Sequence, residues 1–132
     1  MGPHDELRRV ASELVAGCRE GRERENIGKL YAENVVSVEA YDMMGQGREV
    51  HGLDALQAKH DWWEGQMEEI RDDNPAKPPV EGPFYFGDDR FQVIFNIKAR
   101  AKASGEIQEA TEVGTYYVED GKIVREEFAY AM

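Results

Sequence analysis

The sequence predicts an α+β domain in which a curved antiparallel sheet wraps around three helices and keeps a pocket for a small molecule. Three observations predict it. Helical periodicity fills the first half of the chain, where three amphipathic segments can be drawn. From Phe91 to Ala103 apolar and polar residues alternate strictly, which is the period of a half-buried strand. Asp120-Gly121 is a two-residue hairpin signal between two long strand-like runs. Helices gather early and strands late, an order that suits one sheet covered on one face.

The elements follow in order. Leu7, Val10, Ala11, Leu14, Val15 and Cys18 share one helical stripe, with Asp5 as cap and Gly21 as terminator. A short second helix runs from Arg24 to Ala32, and Val35 to Tyr41 is a strand ended by Asp42-Met43-Met44-Gly45. Arg48 to His51 is its short partner. The third helix runs from Leu53 to Arg71, with Leu53, Leu56, His60, Trp63, Met67 and Ile70 on one face. Pro75, Pro78 and Pro79 then forbid helix across Asp72 to Pro79. The remaining strands are Val80 to Phe86, Phe91 to Ala103, Glu106 to Glu119 and Lys122 to Ala131.

At 132 residues the chain is read as a single domain, residues 1–132, long enough to bury one core. A formal net charge of −11 repels nucleic acid and anionic membranes, so neither is an expected partner. The single cysteine excludes an intramolecular disulfide and a Cys-based zinc site. His4, His51 and His60 show no metal-ligand spacing, and there is no glycine-rich phosphate loop. No metal or cofactor is expected. There is no apolar run of membrane-spanning length and no signal-peptide core in Met1 to Glu6, so the expected location is cytoplasmic.

Hairpin turns fix register, so the inner wall of the sheet can be predicted. With Ser104-Gly105 and Asp120-Gly121 as two-residue loops, one face collects Phe91, Val93, Phe95, Ile97, Val118 and Ile123. The same face carries Glu112, Tyr116, Arg125 and Glu127. Charges are costly in an apolar core, by several kcal/mol each on a rough scale. They must therefore pair with one another or face a partly hollow interior. The expected ligand site is lined by Trp63, Met67, Phe91, Val93, Phe95 and Leu14, with Tyr116 and Arg125 as polar contacts. Glu112, Glu127 and His60 are the candidate acid/base groups: two close carboxylates in an apolar pocket push at least one pKa upward, and histidine titrates near neutrality. Two bland alternatives stay open, a satisfied core histidine and carboxylates neutralised by Arg125. A bulge would move Glu112 or Glu127 to the other face. Glu39, alternating with Val38 and Ala40, should point away from the pocket. The opposite face carries Ile94, Val113, Tyr117, Val124, Phe128 and Tyr130, and is expected to form a homodimer interface.

The order of elements, the Leu30-Tyr31-Ala32-Glu33-Asn34 lead into the first strand, the Arg48 to Leu53 segment and the closing Asp120-Gly121-Lys122-Ile123-Val124 resemble the nuclear transport factor 2-like superfamily. Within it the chain is most similar to the SnoaL-like group, relatives of polyketide cyclases and ketosteroid isomerases. The resemblance implies a cone-shaped sheet, mixed or antiparallel, of cystatin-like fold, with a deep pocket at the open end and frequent homodimers. The three positions matching the isomerase's catalytic tyrosine, base and protonated aspartate are Leu14, Ala40 and Gly114, none of which can move a proton. Ala40 and Leu14 are then pocket-wall positions only. Two functions remain: a cofactor-free isomerase, cyclase or dehydratase acting on a small carbonyl- or hydroxyl-bearing molecule, or a non-catalytic dimeric binding module.

Overall fold

A computed structural model describes residues 3–42, 45–71 and 77–131. Its elements are α1 (Pro3–Glu20), α2 (Glu23–Leu30), β1 (Tyr31–Val38), β2 (Glu49–His51), α3 (Leu53–Gln66), β3 (Met67–Glu69), β4 (Val80–Phe86), β5 (Arg90–Ala101), β6 (Ile107–Glu119) and β7 (Lys122–Ala131). The turn residues Met43 and Met44, and residues 72–76 of the proline-rich stretch, lie outside the described residues.

The sheet runs in the order β2-β1-β7-β6-β5-β3, with β4 also pairing β5. β1 lies parallel to β7 and every other pair is antiparallel, so the sheet is mixed. It curls strongly into a half-barrel, and the three helices fill its concave side. The predicted α1 stripe is the heart of the core: Leu7, Val10, Ala11, Leu14, Val15 and Cys18 are all buried, joined by Ile27, Leu30, Leu56, Phe91, Val93 and Ile123. Each fully buried aliphatic side chain contributes about 1.5–3 kcal/mol. The ring of Phe91 stacks on that of Tyr116 with centroids 5.0 Å apart.

Two boundaries differ from expectation for physical reasons. α1 begins at Pro3 rather than near Asp5, because proline is tolerated in the first turn, where its missing N–H has no partner to lose. α3 stops at Gln66 instead of Arg71, and Met67–Glu69 turns into β3 against Ala99–Ala101 of β5. The end of long β5 beyond β4 offers unpaired backbone groups, and pairing them outweighs extending the helix by one turn.

Register decides which side chains face inward. The loop between β5 and β6 is longer than two residues: the Gly105 N–H donates to the Ala101 carbonyl, and the Ala101 N–H to the Glu106 carbonyl. Phe91 therefore pairs with Tyr116, Val93 with Gly114 and Phe95 with Glu112, two residues away from the predicted register. A shift of two preserves the face, so Glu112 and Tyr116 stay inside. Between β6 and β7, Val118 pairs with Ile123 as predicted, but Tyr117 then pairs with Arg125. Val124 is the extra residue of a β-bulge, and a shift of one exchanges the faces for the rest of β7. Glu126, Phe128 and Tyr130 turn inward; Arg125 and Glu127 turn outward.

Candidate functional site

Between the helices and the concave sheet lies a cavity of about 720 Å³. Of the predicted site residues, Leu14, His60, Trp63, Met67, Phe95, Glu112 and Tyr116 line it. Phe91 and Val93 do not: both are completely buried, packed into the core behind the cavity wall. Ala40 is also absent from the wall: Val38, two residues before it, pairs with Glu127 on the outer side of the sheet, so the inner side of this strand is that of Ser37 and Glu39.

Glu127 and Arg125 are corrected by the bulge. On the convex face Tyr117 Oη donates to Glu127 Oε1 at 2.7 Å, and Arg125 Nε donates to Glu127 Oε2 at 3.1 Å. The tyrosine hydrogen bond, and then Arg125, hold the Glu127 carboxyl below its ordinary range. Arg90 lies over the Tyr117 ring at 4.6 Å. This is a paired surface cluster, remote from the cavity. The same bulge removes Phe128 and Tyr130 from the convex face, where the sequence placed them.

The inward turn of β7 supplies what sequence reasoning missed. Glu126, only 2% exposed, accepts from Tyr31 Oη and from Ser37 Oγ, each at 3.1 Å. Lys59 Nζ donates to Ser37 Oγ at 2.5 Å and pairs with Glu39 Oε1 at 2.6 Å. It also stands 5.2 Å over the Phe128 ring. Glu39 thus faces the cavity, against expectation, because it continues the side of β1 that carries Ser37, whose ladder partner is inward-facing Glu126, while Val38 lies beside outward-facing Glu127. Burial raises the Glu126 carboxyl above its usual range, opposed by Lys59 and the two hydroxyls. Lys59 is three residues from Leu56 and four from Trp63, so its place on the inner side of α3 was available from helical spacing. The position of Glu126 had no such signal, since nothing at Val124 announces a bulge.

Glu112 sits on β6 opposite Tyr130 of β7. Burial pushes its carboxyl up to about 7, the neighbouring Glu39 charge adds to the rise, and the hydrogen bond from Tyr130 and the charge of Lys59 oppose it. No lysine or arginine among the described residues forms an ion pair with it. The Tyr130 ring stacks on Tyr41 at 5.8 Å. His60 is pushed down to about 4, by burial first and then by the Lys59 and Arg24 charges, so its imidazole is neutral at physiological pH. A neutral imidazole can orient a ligand oxygen, but with so low a pKa it is a weak base. Tyr116 is fully enclosed, and burial raises its phenol well above the usual value. Gly114 leaves room for it: a Cβ there would stand 2.9 Å from Tyr116 Cε2 and 3.1 Å from Phe128 Cε1.

Among the described residues no three histidine, cysteine, aspartate or glutamate side chains are grouped to hold a metal. Among the described residues no helix is long and apolar enough to cross a membrane.

The sequence model of the SnoaL-like domain matches residues 8–130. The chain belongs to the SnoaL-like domain family. It is similar to a protein from Mesorhizobium loti provisionally described as a SnoaL-like polyketide cyclase, at 32% identity and a TM-score of 0.76, over 98% of this chain and all of the other. An NTF2-like protein from Burkholderia xenovorans shares the fold at 17% identity and a TM-score of 0.74, over 97% of this chain and 91% of that one. So does a provisionally described isomerase from Bacillus subtilis, at 14% identity and a TM-score of 0.65, over 99% and 90%. No curated protein sequence matches the chain. This SnoaL-like domain thus shares the fold of the NTF2-like protein and of a cystatin-like structure from Xanthomonas campestris. These neighbours carry no assigned activity that the chain could inherit.

Proposed function

We propose that this SnoaL-like protein binds a small, largely apolar molecule bearing a carbonyl or hydroxyl and moves a proton on it without a cofactor, as an isomerase, cyclase or dehydratase does. One observation carries the reading. Glu112 presents a carboxyl to the cavity that titrates near neutrality and accepts a hydrogen bond from Tyr130. A carboxyl poised at the working pH serves equally as proton acceptor and donor. In the reaction Glu112 takes a proton from a carbon beside the substrate carbonyl, and the electron pair moves onto the carbonyl oxygen. The Tyr116 hydroxyl and the neutral His60 imidazole stabilise that oxygen. The protonated Glu112 then returns the proton to another carbon or to a leaving oxygen. The convex face, with Ile94, Val113, Tyr117 and Val124 remaining on it, is proposed as a homodimer interface, which sedimentation equilibrium would test.

The test of the chemistry is hydrogen exchange. Incubating 2-tetralone with the protein in D₂O should speed exchange at the carbon beside the carbonyl, read by proton NMR, and E112Q should abolish the acceleration. Absence of acceleration by wild type, or its survival in E112Q, contradicts the acid/base assignment. The second reading, a binding module without turnover, is favoured by Leu14, Ala40 and Gly114. It predicts saturable binding of the ketone with no exchange.

A further inference from the structure

The cavity wall is rich in acceptors, and each of its lysines and arginines already donates to a protein oxygen. Arg48 Nε donates to the Glu39 carbonyl at 2.8 Å, Lys59 to Ser37 and Glu39, Arg71 to the Cys18 carbonyl at 2.8 Å, and Lys102 Nζ to the Glu64 carbonyl at 2.6 Å. These are all the lysines and arginines on the wall among the described residues, and each is tied to a protein oxygen. Lining carboxylates outnumber them.

Two acceptors are left wanting. Glu112 has a tyrosine hydroxyl but no cation, and its neighbour Glu39 shares its one cation, Lys59, with Ser37. Independently, Asn26 on α2 is 1% exposed and its Oδ1 has no donor among the described residues. Its orientation is not arbitrary: Nδ2 donates to the Glu13 carbonyl at 3.1 Å, so flipping the amide would set two oxygens against each other. Asn26 belongs to the same cavity wall. Aromatic rings complete the setting, and the Lys59 ammonium over Phe128 shows that a cation is accommodated among them.

We infer that the molecule bound here carries a basic amine, held as its ammonium beside Glu112 and Glu39 against the Tyr130–Tyr41 stack, and carries no anionic group. This rests on the reading of the cavity as a small-molecule site and specifies which molecules enter. A carboxylate or phosphate would meet Glu39, Glu112 and Glu126 on a wall whose carboxylates outnumber its cations. An ammonium supplies the missing donor and charge, and by its field holds Glu112 in the carboxylate form in which it accepts a proton.

Three compounds with one bicyclic skeleton separate the possibilities: 2-aminotetralin, 2-tetralone and tetralin-2-carboxylate. Their affinities are measured by isothermal titration calorimetry at about pH 8, where Glu112 is ionised among Glu39, Lys59, Glu126 and Tyr130. The amine should bind about tenfold more tightly than the ketone, as a charge-assisted hydrogen bond allows, with the carboxylate weakest. In E112Q, which is isosteric and keeps an acceptor for Tyr130, the ratio of amine to ketone affinity should fall by about tenfold. An amine no tighter than the ketone, a carboxylate binding as well as either, or a ratio unchanged in E112Q overturns the inference while leaving the pocket reading in place. Binding of none of the three overturns both.

Discussion

Glu112 and Tyr130 face each other across the β6–β7 ladder, and the tyrosine hydroxyl donates to the carboxyl. Their meeting depends on Val124. Without the extra residue, Tyr130 would point to the convex face and Glu112 would stand beside Ala129 or Ala131, with no donor from β7. The bulge thus builds the cavity's polar wall and clears the convex face in a single step.

The first prediction follows from the raised pKa of Glu112. The folded state holds its proton more tightly than the unfolded chain, so the native form binds more protons between about pH 4.5 and 7. Stability from this group is present below the lower value and lost as pH rises through the upper one. At pH 8 wild type carries a penalty on the order of 3 kcal/mol that Glu112→Gln escapes. Urea denaturation should show E112Q more stable than wild type at pH 8, and the two nearly equal at pH 4.5. Equal stability at both pH values would contradict the buried, uncompensated charge.

His60 works in the opposite sense. Its folded pKa is depressed to about 4, so the unfolded state binds the extra proton first, and stability is lost as pH falls from about 6.5 toward 4. The imidazole resonances of His60 should remain those of the neutral ring from about pH 6.5 down to about pH 5, and reach their midpoint only near 4. A midpoint near 6.5 would place His60 in solvent rather than on the cavity wall.

Lys59 is the cation on which two carboxylates depend. Lys59→Met should destabilise the fold by about 2–4 kcal/mol, because Glu39 loses its partner and buried Glu126 loses its favourable charge. Pairing it with Glu39→Gln should recover a large part of the loss, as a double-mutant cycle from chemical denaturation would show. Additive losses would mean that the contact is incidental.

Gly114 has no space beyond its hydrogen. Gly114→Ala would force the Tyr116 and Phe128 rings to move, costing about 1–3 kcal/mol. Thermal denaturation should register the loss, and Phe128 ring resonances should shift with it. A neutral or stabilising alanine would show that the rings are loosely held.

The architecture was legible in the sequence because it rests on periodicity. The α1 stripe from Leu7 to Cys18 and the alternation of β5 each average over many residues, and a boundary error of a few positions leaves the layers intact. Glu112 and Tyr116 were found for a related reason: the loop between β5 and β6 was misjudged, but the resulting shift was even, and an even shift keeps the face. The site on β7 was not legible. A one-residue bulge costs little and has no signature in Val124, yet it exchanged Glu126 for Glu127 and brought Phe128 and Tyr130 inside. Glu39 was not legible because the phase of β1 is opposite to the expected one: Val35, Ser37 and Glu39 take the inner side, and Val38 and Ala40 do not. Lys59 was overlooked beside the more conspicuous His60, though both project from the inner side of α3.

The proposed chemistry requires Glu112 to be a cavity carboxyl that exchanges protons near neutrality. The direct measurement is a ¹³C NMR titration of the Glu112 side-chain carboxyl in the folded protein, assigned by comparison with E112Q. The expected midpoint is near pH 7, moving downward when 2-aminotetralin is bound. A midpoint at the ordinary glutamate value of about 4.3, unmoved by that compound, would contradict it.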